Sequence, residues 1–227
     1  MILAVDTATQ WTGIALHDGT TVIAELGWRS VNTQTIELAP TVKQFLGKAD
    51  ATPGDLVAIA VAVGPGSYTG LRVGLGFAKG MALAYQLPLI GVPTLDIVAT
   101  SFGRNDGNLI IVAEAGRQRV CANTYRWGRL GWQAANEPDI VSWPDLLAQV
   151  ADLDDVTFAG EISVDARKLI RNTSRRYRIV SAAAGARRAG YLAEIGWRRL
   201  RRNALDDAAE LAPIYLRDPA GQKITTP

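Results

Sequence analysis

The chain has 227 residues, 48% hydrophobic, 20% charged and 7% aromatic, with a formal charge of +2; this fits one large or two modest globular domains and excludes disordered and fibrous classes. No apolar run reaches the roughly 20 residues that a bilayer-spanning helix needs, and "MILAVDTATQ" has no basic leader before its apolar residues, so neither a membrane span nor a secretory signal is expected. The single cysteine, Cys121, leaves no internal disulfide and fits a reducing, cytoplasmic setting.

The first 28 residues read as strands. "MILAVDTA" is an apolar run that ends on a polar turn, and "TGIALHDGTTVIAEL" is two alternating runs joined by Asp18-Gly19, a strong hairpin signal. Ile36, Ala39, Val42, Phe45, Leu46 and Ala49 recur at spacings of three and four, which predicts a helix over 33–49, with Pro40 kinking it or lying near its first turn. "DLVAIAVAVG" (55–64) is a continuous apolar run suited to a strand covered on both faces. A glycine turn and a helix follow in "GPGSYTGLRVGLGFAKGMALAY" (64–85), then "LPLIGVP" as a strand and "TLDIVATSF" as a short helix capped by Thr94.

Asn105-Asp106-Gly107 is the best domain boundary, dividing the chain into 1–104 and 105–227. Beyond it "NLIIVAEA" and "RVCANTYRW" read as strands around Gly116. Helical patterns near 142–150 and 163–171 flank "VTFAG", a basic helix is expected at 186–202, and "APIYLRD" (212–218) reads as a terminal strand. The order predicts two related α/β lobes. Charge divides along the same line. Residues 1–100 hold five basic against seven acidic side chains, and the rest hold 19 against 15, with clusters "RNTSRRYR" (171–178) and "GWRRLRR" (196–202). These clusters read either as phosphate-neutralising patches or as solvated faces paired with acids such as Asp206 and Asp207.

Strand, glycine turn and helix in succession present backbone N–H groups to an anion. Gly64 and Gly66 would permit close approach, and Ser67 or Thr69 would cap the helix or bond a phosphate oxygen. No Lys-Ser/Thr pair follows, so this is not a Walker loop, and a purely structural turn would look the same. The helix itself carries two rows of small residues: Gly70, Gly74, Ala78 and Ala82, and on another side Gly76, Gly80 and Ala84. Each interior glycine costs roughly 1 kcal/mol against alanine, so close packing must offset the loss. The neighbours are the sheet beneath, another helix, or a partner chain.

"ILAVDTAT", "VGPGSYTGLRVGLGFAKGMALA", "PLIGVPTLD" and "PIYLRD" together resemble the TsaB (YeaZ) family, the partner subunit of the machinery that makes N6-threonylcarbamoyladenosine at adenosine 37 of tRNAs. The resemblance is dense over 1–100 and thin beyond. Where the family carries an Asp-Ala-Arg run, this chain reads "EAGRQRVC", with Glu114 and Gly116 in place of the aspartate and arginine; it also has "VNTQT" in place of a histidine-serine pair before the first helix.

The resemblance implies an actin-like ATPase (ribonuclease-H-like) α/β fold, with a mixed five-stranded sheet in the first lobe and a smaller second lobe. In that fold Asp6, Thr7 and Thr9 would form a phosphate turn, and with Gly64, Gly66, Ser67 and Thr69 they are the candidate nucleotide residues, for ATP or ADP with Mg near a partner interface. Asp6 and Thr7 could equally end the strand by bonding their own backbone. The catalytic relative, TsaD, has two histidines at i, i+4 on the helix after its "PLIGV" strand, able to hold a metal. Here Thr94 and Val98 stand there, which leaves no catalytic residue and no metal site. The lone histidine, His17, reads as a polar turn residue.

The resemblance thus implies an accessory subunit that needs no cofactor of its own. It would dock on a TsaD-type catalytic subunit, work with a TsaE-type ATPase, form a homodimer in isolation, and meet tRNA only within the complex. The candidate interface residues are Leu38, Lys43, Leu71, Arg72, Gly74, Leu75, Ala78 and Lys79. The alternatives are a small actin-fold ATPase or kinase using Asp6 and Gly64–Thr69, and a hydrolase with Ser67 as nucleophile and His17 as base.

Overall fold

The computed structural model describes residues 1–116, 119–129 and 131–216, and these divide into two compact units. The first comprises Met1–Ile97 with Arg188–Ile214; the second comprises Val98–Arg187 with Tyr215 and Leu216. The chain leaves the first unit and returns to it, so a single boundary at 104/105 divides it differently from its contacts. The polar turn Asn105-Asp106-Gly107 marks where a strand begins rather than where packing partners change.

In the first unit β1 (Ile2–Asp6), β2 (Trp11–His17) and β3 (Val22–Arg29) form an antiparallel meander, followed by α1 (Gln34–Lys48), β4 (Ala58–Gly64), α2 (Tyr68–Tyr85) and β5 (Leu89–Pro93). The mixed five-stranded sheet runs β3-β2-β1-β4-β5, with β4 parallel to both β1 and β5. The Asp18 carboxylate accepts the N–H groups of Thr20 and Thr21 and fixes the first hairpin, and these two bonds hold its pKa below the usual carboxylate value. Pro40 lies exposed within the second turn of α1 without ending the helix.

Every residue of β1 and β4 is buried, as expected of strands covered on both faces. Leu3, Val5 and Leu16 join Leu38, Val42 and Phe45 of α1 in one cluster; Ile59 and Val61 join Leu75 and Ala78 of α2 in another. The alternate residues of these strands face the other way.

The chain leaves through α3 (Thr94–Thr100). The second unit contains β6 (Asn108–Glu114), β7 (Arg119–Gly128), β8 (Gly131–Ala134), β9 (Asp139–Ser142), α4 (Trp143–Gln149), β10 (Val156–Gly160), α5 (Val164–Thr173) and β11 (Arg178–Ile179). Its sheet runs β11-β10-β6-β7-β8, with β9 also paired to β7, one strand more than the first sheet. Ser142 and Ser163 cap α4 and α5 by accepting the N–H groups of Asp145 and Ala166, each cap stabilising by about 1 kcal/mol. Phe158 lies at the centre of this core, with Tyr177 edge-on to its ring at 5.5 Å.

α6 (Ala189–Arg201) then returns to the first unit and covers the face of the sheet opposite α1 and α2. Gly196 lets it sit against Ala60 and Ile2, and Leu192 and Ala193 are fully buried. Arg188 and the Gly190 N–H both bond the Glu25 carboxylate on β3. After α6, Asp206 accepts the Gly91 N–H at 2.7 Å while Arg199 donates to Asp206 at 3.1 Å and to the Gly91 carbonyl at 2.6 Å, closing the outer edge of β5. The expected terminal strand is not formed over 212–216. The Ile214 N–H donates to the Val63 carbonyl at 2.7 Å, and Arg217 and Asp218 lie outside the described residues.

Candidate functional site

The two turns singled out as phosphate-like are joined to each other. Asp6 Oδ1 accepts the Ala8 N–H at 2.9 Å, and Thr9 Oγ1 accepts the Trp11 N–H at 3.2 Å, so both side chains brace their own turn. The Thr7 hydroxyl crosses to the α2 side and donates to the Gly70 carbonyl at 2.6 Å. In return the Ser67 N–H donates to the Ala8 carbonyl at 2.6 Å. Ser67 Oγ accepts the Gly70 N–H and caps α2, leaving Thr69 exposed in the first turn. Asp6, Thr7, Thr9 and Gly64 are buried, whereas Gly66, Ser67 and Thr69 reach the surface.

The glycines make this junction possible. A β-carbon at Gly66 would overlap the Ala8 carbonyl, one at Gly70 the Thr7 carbonyl, and one at Gly74 the Thr7 hydroxyl. The row Gly70, Gly74, Ala78 and Ala82 is therefore a packing seam between α2 and its own sheet. This corrects five of the candidate interface residues: Leu38, Leu71, Gly74, Leu75 and Ala78 are buried in the chain's own core. Helical spacing defines rows but does not say which row faces inward.

The second row is the exposed one. Gly76 and Gly80 have nothing within 4 Å of where a β-carbon would stand, and Leu83 beside them is 84% exposed. Arg72 lies on this outer side, its guanidinium 3.9 Å above the Tyr68 ring. α1 contributes exposed Ala39, Pro40 and Lys43, with Ile36 72% exposed. Val73 and Phe77 pack towards the α1 core and hold the two helices together. Lys79 is only partly exposed, and its ammonium reaches the Ala209 carbonyl at 3.5 Å. Gly76, Gly80, Leu83 and Ile36, which this exposed side presents, are not among the candidate interface residues. The signal available for them was Leu83, a large apolar residue one turn beyond Gly80.

Thr94 and Val98, on successive turns of α3, are both buried, and the Thr94 hydroxyl has no hydrogen-bond partner among the described residues, so it does not cap the helix. His17 is buried beside Trp197, ring centroids 6.0 Å apart, and its Nδ1 accepts the Gly19 N–H. That bond makes it a turn brace, and no contact joins it to Ser67. Cys121 is buried in the second unit; desolvation first, and the Asp139 carboxylate second, push its thiol up to about 12. Among the described residues no helix is long and apolar enough to cross a membrane.

The family model described as TsaD, tRNA N6-adenosine threonylcarbamoyltransferase, matches residues 33–224. The TsaB protein of Bacillus subtilis (strain 168) is 36% identical over 126 residues, covering 56% of this chain and 55% of the relative. The TsaB protein of Escherichia coli (strain K12) is 40% identical over 114 residues, covering 49% and 48%. The chain thus spans about half the length of the curated relatives it matches. A solved Pseudomonas aeruginosa protein, described as similar to peptidase YeaZ, superimposes with a TM-score of 0.78 at 23% identity, covering 95% of this chain and 99% of that one. The solved neighbours share the actin-like ATPase fold, which is the fold of this chain.

Proposed function

This chain belongs to the TsaD family, tRNA N6-adenosine threonylcarbamoyltransferase, in its TsaB (YeaZ) group, and on that premise we propose that it is a docking subunit rather than a catalyst. In this reading it binds and activates a TsaD-type subunit that forms N6-threonylcarbamoyladenosine in tRNA, alongside a TsaE-type ATPase. It pairs with a second copy when that catalyst is absent. It meets tRNA only within the complex.

The observation that carries the proposal is the outer face of α2. Gly76 and Gly80 form a smooth strip that a partner helix can approach closely, and Leu83 and Ile36 stand beside it as apolar anchors. Arg72 and Lys43 supply a charged rim. The buried Thr94 and Val98 support the non-catalytic part of the reading, since neither offers a nitrogen ligand where the resemblance places a metal-binding pair. The chain requires no cofactor of its own, and any ATP or ADP belongs near the partner. The hydrolase alternative is disfavoured by the buried His17, engaged with Gly19.

The test is reconstitution. The purified chain alone should transfer no threonylcarbamoyl group, and adding it to a TsaD-type catalyst with tRNA should stimulate transfer. The Leu83→Glu variant, folded by circular dichroism, should lose that stimulation. Robust transfer by the chain alone, or no stimulation by the unmodified chain, overturns the proposal.

A further inference from the structure

The second unit holds a cavity of about 310 Å³ that the docking face does not involve. It lies at the C-terminal ends of the parallel strands β6 and β10, where Glu114 and Glu161 stand, beside Arg119 at the start of β7. Ligands of open α/β sheets characteristically enter at this end of the strands, and the volume lies at the lower bound of small-molecule pockets, about 300 Å³. Val120, Trp143 and Ile162 supply an apolar wall, and Ser163, the cap of the ten-residue helix α5, lies on the rim.

The charges around it are unevenly matched. Glu161 is engaged on both oxygens: Oε1 accepts from Arg187 at 3.2 Å, and Oε2 accepts the Glu114 N–H at 2.9 Å. The Arg187 side chain is only 2% exposed and is not among the lining residues, so it balances the Glu161 charge from behind the wall. Arg119 differs: its Nε is buried and has no hydrogen-bond partner among the described residues. A buried donor of this kind is costly unless an acceptor meets it. The Glu114 carboxylate stands exposed on the same cavity. One cation, Arg119, and one anion, Glu114, thus line the cavity outside the Glu161–Arg187 pair.

We propose that this cavity binds a small α-amino acid as its zwitterion, with the carboxylate on the Arg119 guanidinium and the ammonium on Glu114. A simple anion would face two glutamates, and a simple cation would face the Arg119 guanidinium; a ligand carrying both charges satisfies Arg119 and Glu114 together. A guanidinium fork takes a carboxylate through parallel N–H bonds, and the N-terminal dipole of α5 adds favourable potential on the carboxylate side. The apolar wall selects an aliphatic side chain.

Calorimetric titration of the full chain with L-leucine tests the proposal, with acetate and methylammonium as single-charge controls. Leucine should bind saturably, and each control should bind more weakly by about tenfold or more, the factor set by losing one charged contact. Arg119→Gln and Glu114→Gln should each weaken leucine binding by about tenfold with an unchanged circular dichroism spectrum. If Arg119→Gln fails to fold, Glu114→Gln, altered only at an exposed carboxylate, gives the reading. No saturable leucine binding, acetate binding as tight as leucine, or affinity unaltered by Glu114→Gln overturns it. The chain is tested without catalyst or tRNA, so the outcome is independent of the docking proposal.

Discussion

Gly74 lies directly against the hydroxyl of Thr7, so close that a β-carbon at this position would overlap Oγ1, while the same hydroxyl donates to the carbonyl of Gly70 one turn earlier. A strand-end turn is thereby locked onto the flank of a helix, and the small residues of α2 are the means. Gly74→Ala should destabilise the chain by about 1–3 kcal/mol through overpacking. Gly76→Ala, facing open space, should stabilise it by about 0.5–1 kcal/mol through helix propensity. Urea unfolding midpoints of the two variants, at unchanged slope, would check the opposite signs.

Self-association should depend on the outer face and fold stability on the inner one. Leu83→Glu should shift the chain to monomer in sedimentation while leaving stability within about 0.5 kcal/mol. Leu71→Ala, one of the residues moved from the interface to the core, should cost about 2–5 kcal/mol.

Glu37 ties α1 to the end of the meander. Its carboxylate accepts from the Thr33 hydroxyl, from Ser30 at 2.7 Å and from the Trp28 ring N–H at 3.0 Å, and these bonds, Thr33 foremost, hold its pKa below the ordinary 4.5. A depressed carboxylate contributes stability above its unfolded pKa and loses it as pH falls through the lower folded value. The unmodified chain should therefore melt above Glu37→Gln at neutral pH, with the gap narrowing only once the pH drops below 4.5. Paired melts across that range measure it, and a constant gap would contradict the assignment.

The Thr94 hydroxyl is buried without a partner among the described residues. Replacing an unsatisfied buried hydroxyl by a methyl removes a desolvation cost of about 1–3 kcal/mol. Thr94→Val should be neutral or stabilising in thermal melts. A clear loss would mean that the hydroxyl is engaged.

Cys121, with its thiol pushed up to about 12 by burial, should resist iodoacetamide at mildly alkaline pH in the native chain and react promptly in urea. Past its ordinary value of 9.0 the unfolded thiol ionises while the native one does not, so stability falls as pH rises. Mass spectrometry of the alkylated chain gives the first reading, and alkaline melts the second.

The apolar runs made the first sheet legible: "ILAVD" reads as a strand ending on a polar turn, "AIAVAVG" as a strand covered on both faces, and Asp18-Gly19 as a hairpin turn. The second sheet was legible in its centre and not at its margins. β8, β9 and β11 are two to four residues long and carry too few apolar positions to show a period. Helix 186–202 was visible as a helix, but its destination was not, because nothing in a local pattern says that Gly196 will rest on Ala60. At the site, glycine spacing gave two smooth rows and could not rank them. The deciding fact was that Thr7, sixty-seven positions from Gly74 in sequence, occupies the space above it.

That late return of α6 has a consequence for synthesis on the ribosome. The strands of the first sheet have all emerged once β5 is complete, yet the helix that covers their second face follows only after the entire second unit. At about 5–20 residues per second, the ~100 intervening residues leave Ile2, Ala4 and Ala60 bare for roughly 5–20 s. The nascent chain is a natural client for a chaperone during that interval. Translation halted between the two units would release a half-clad sheet prone to clumping.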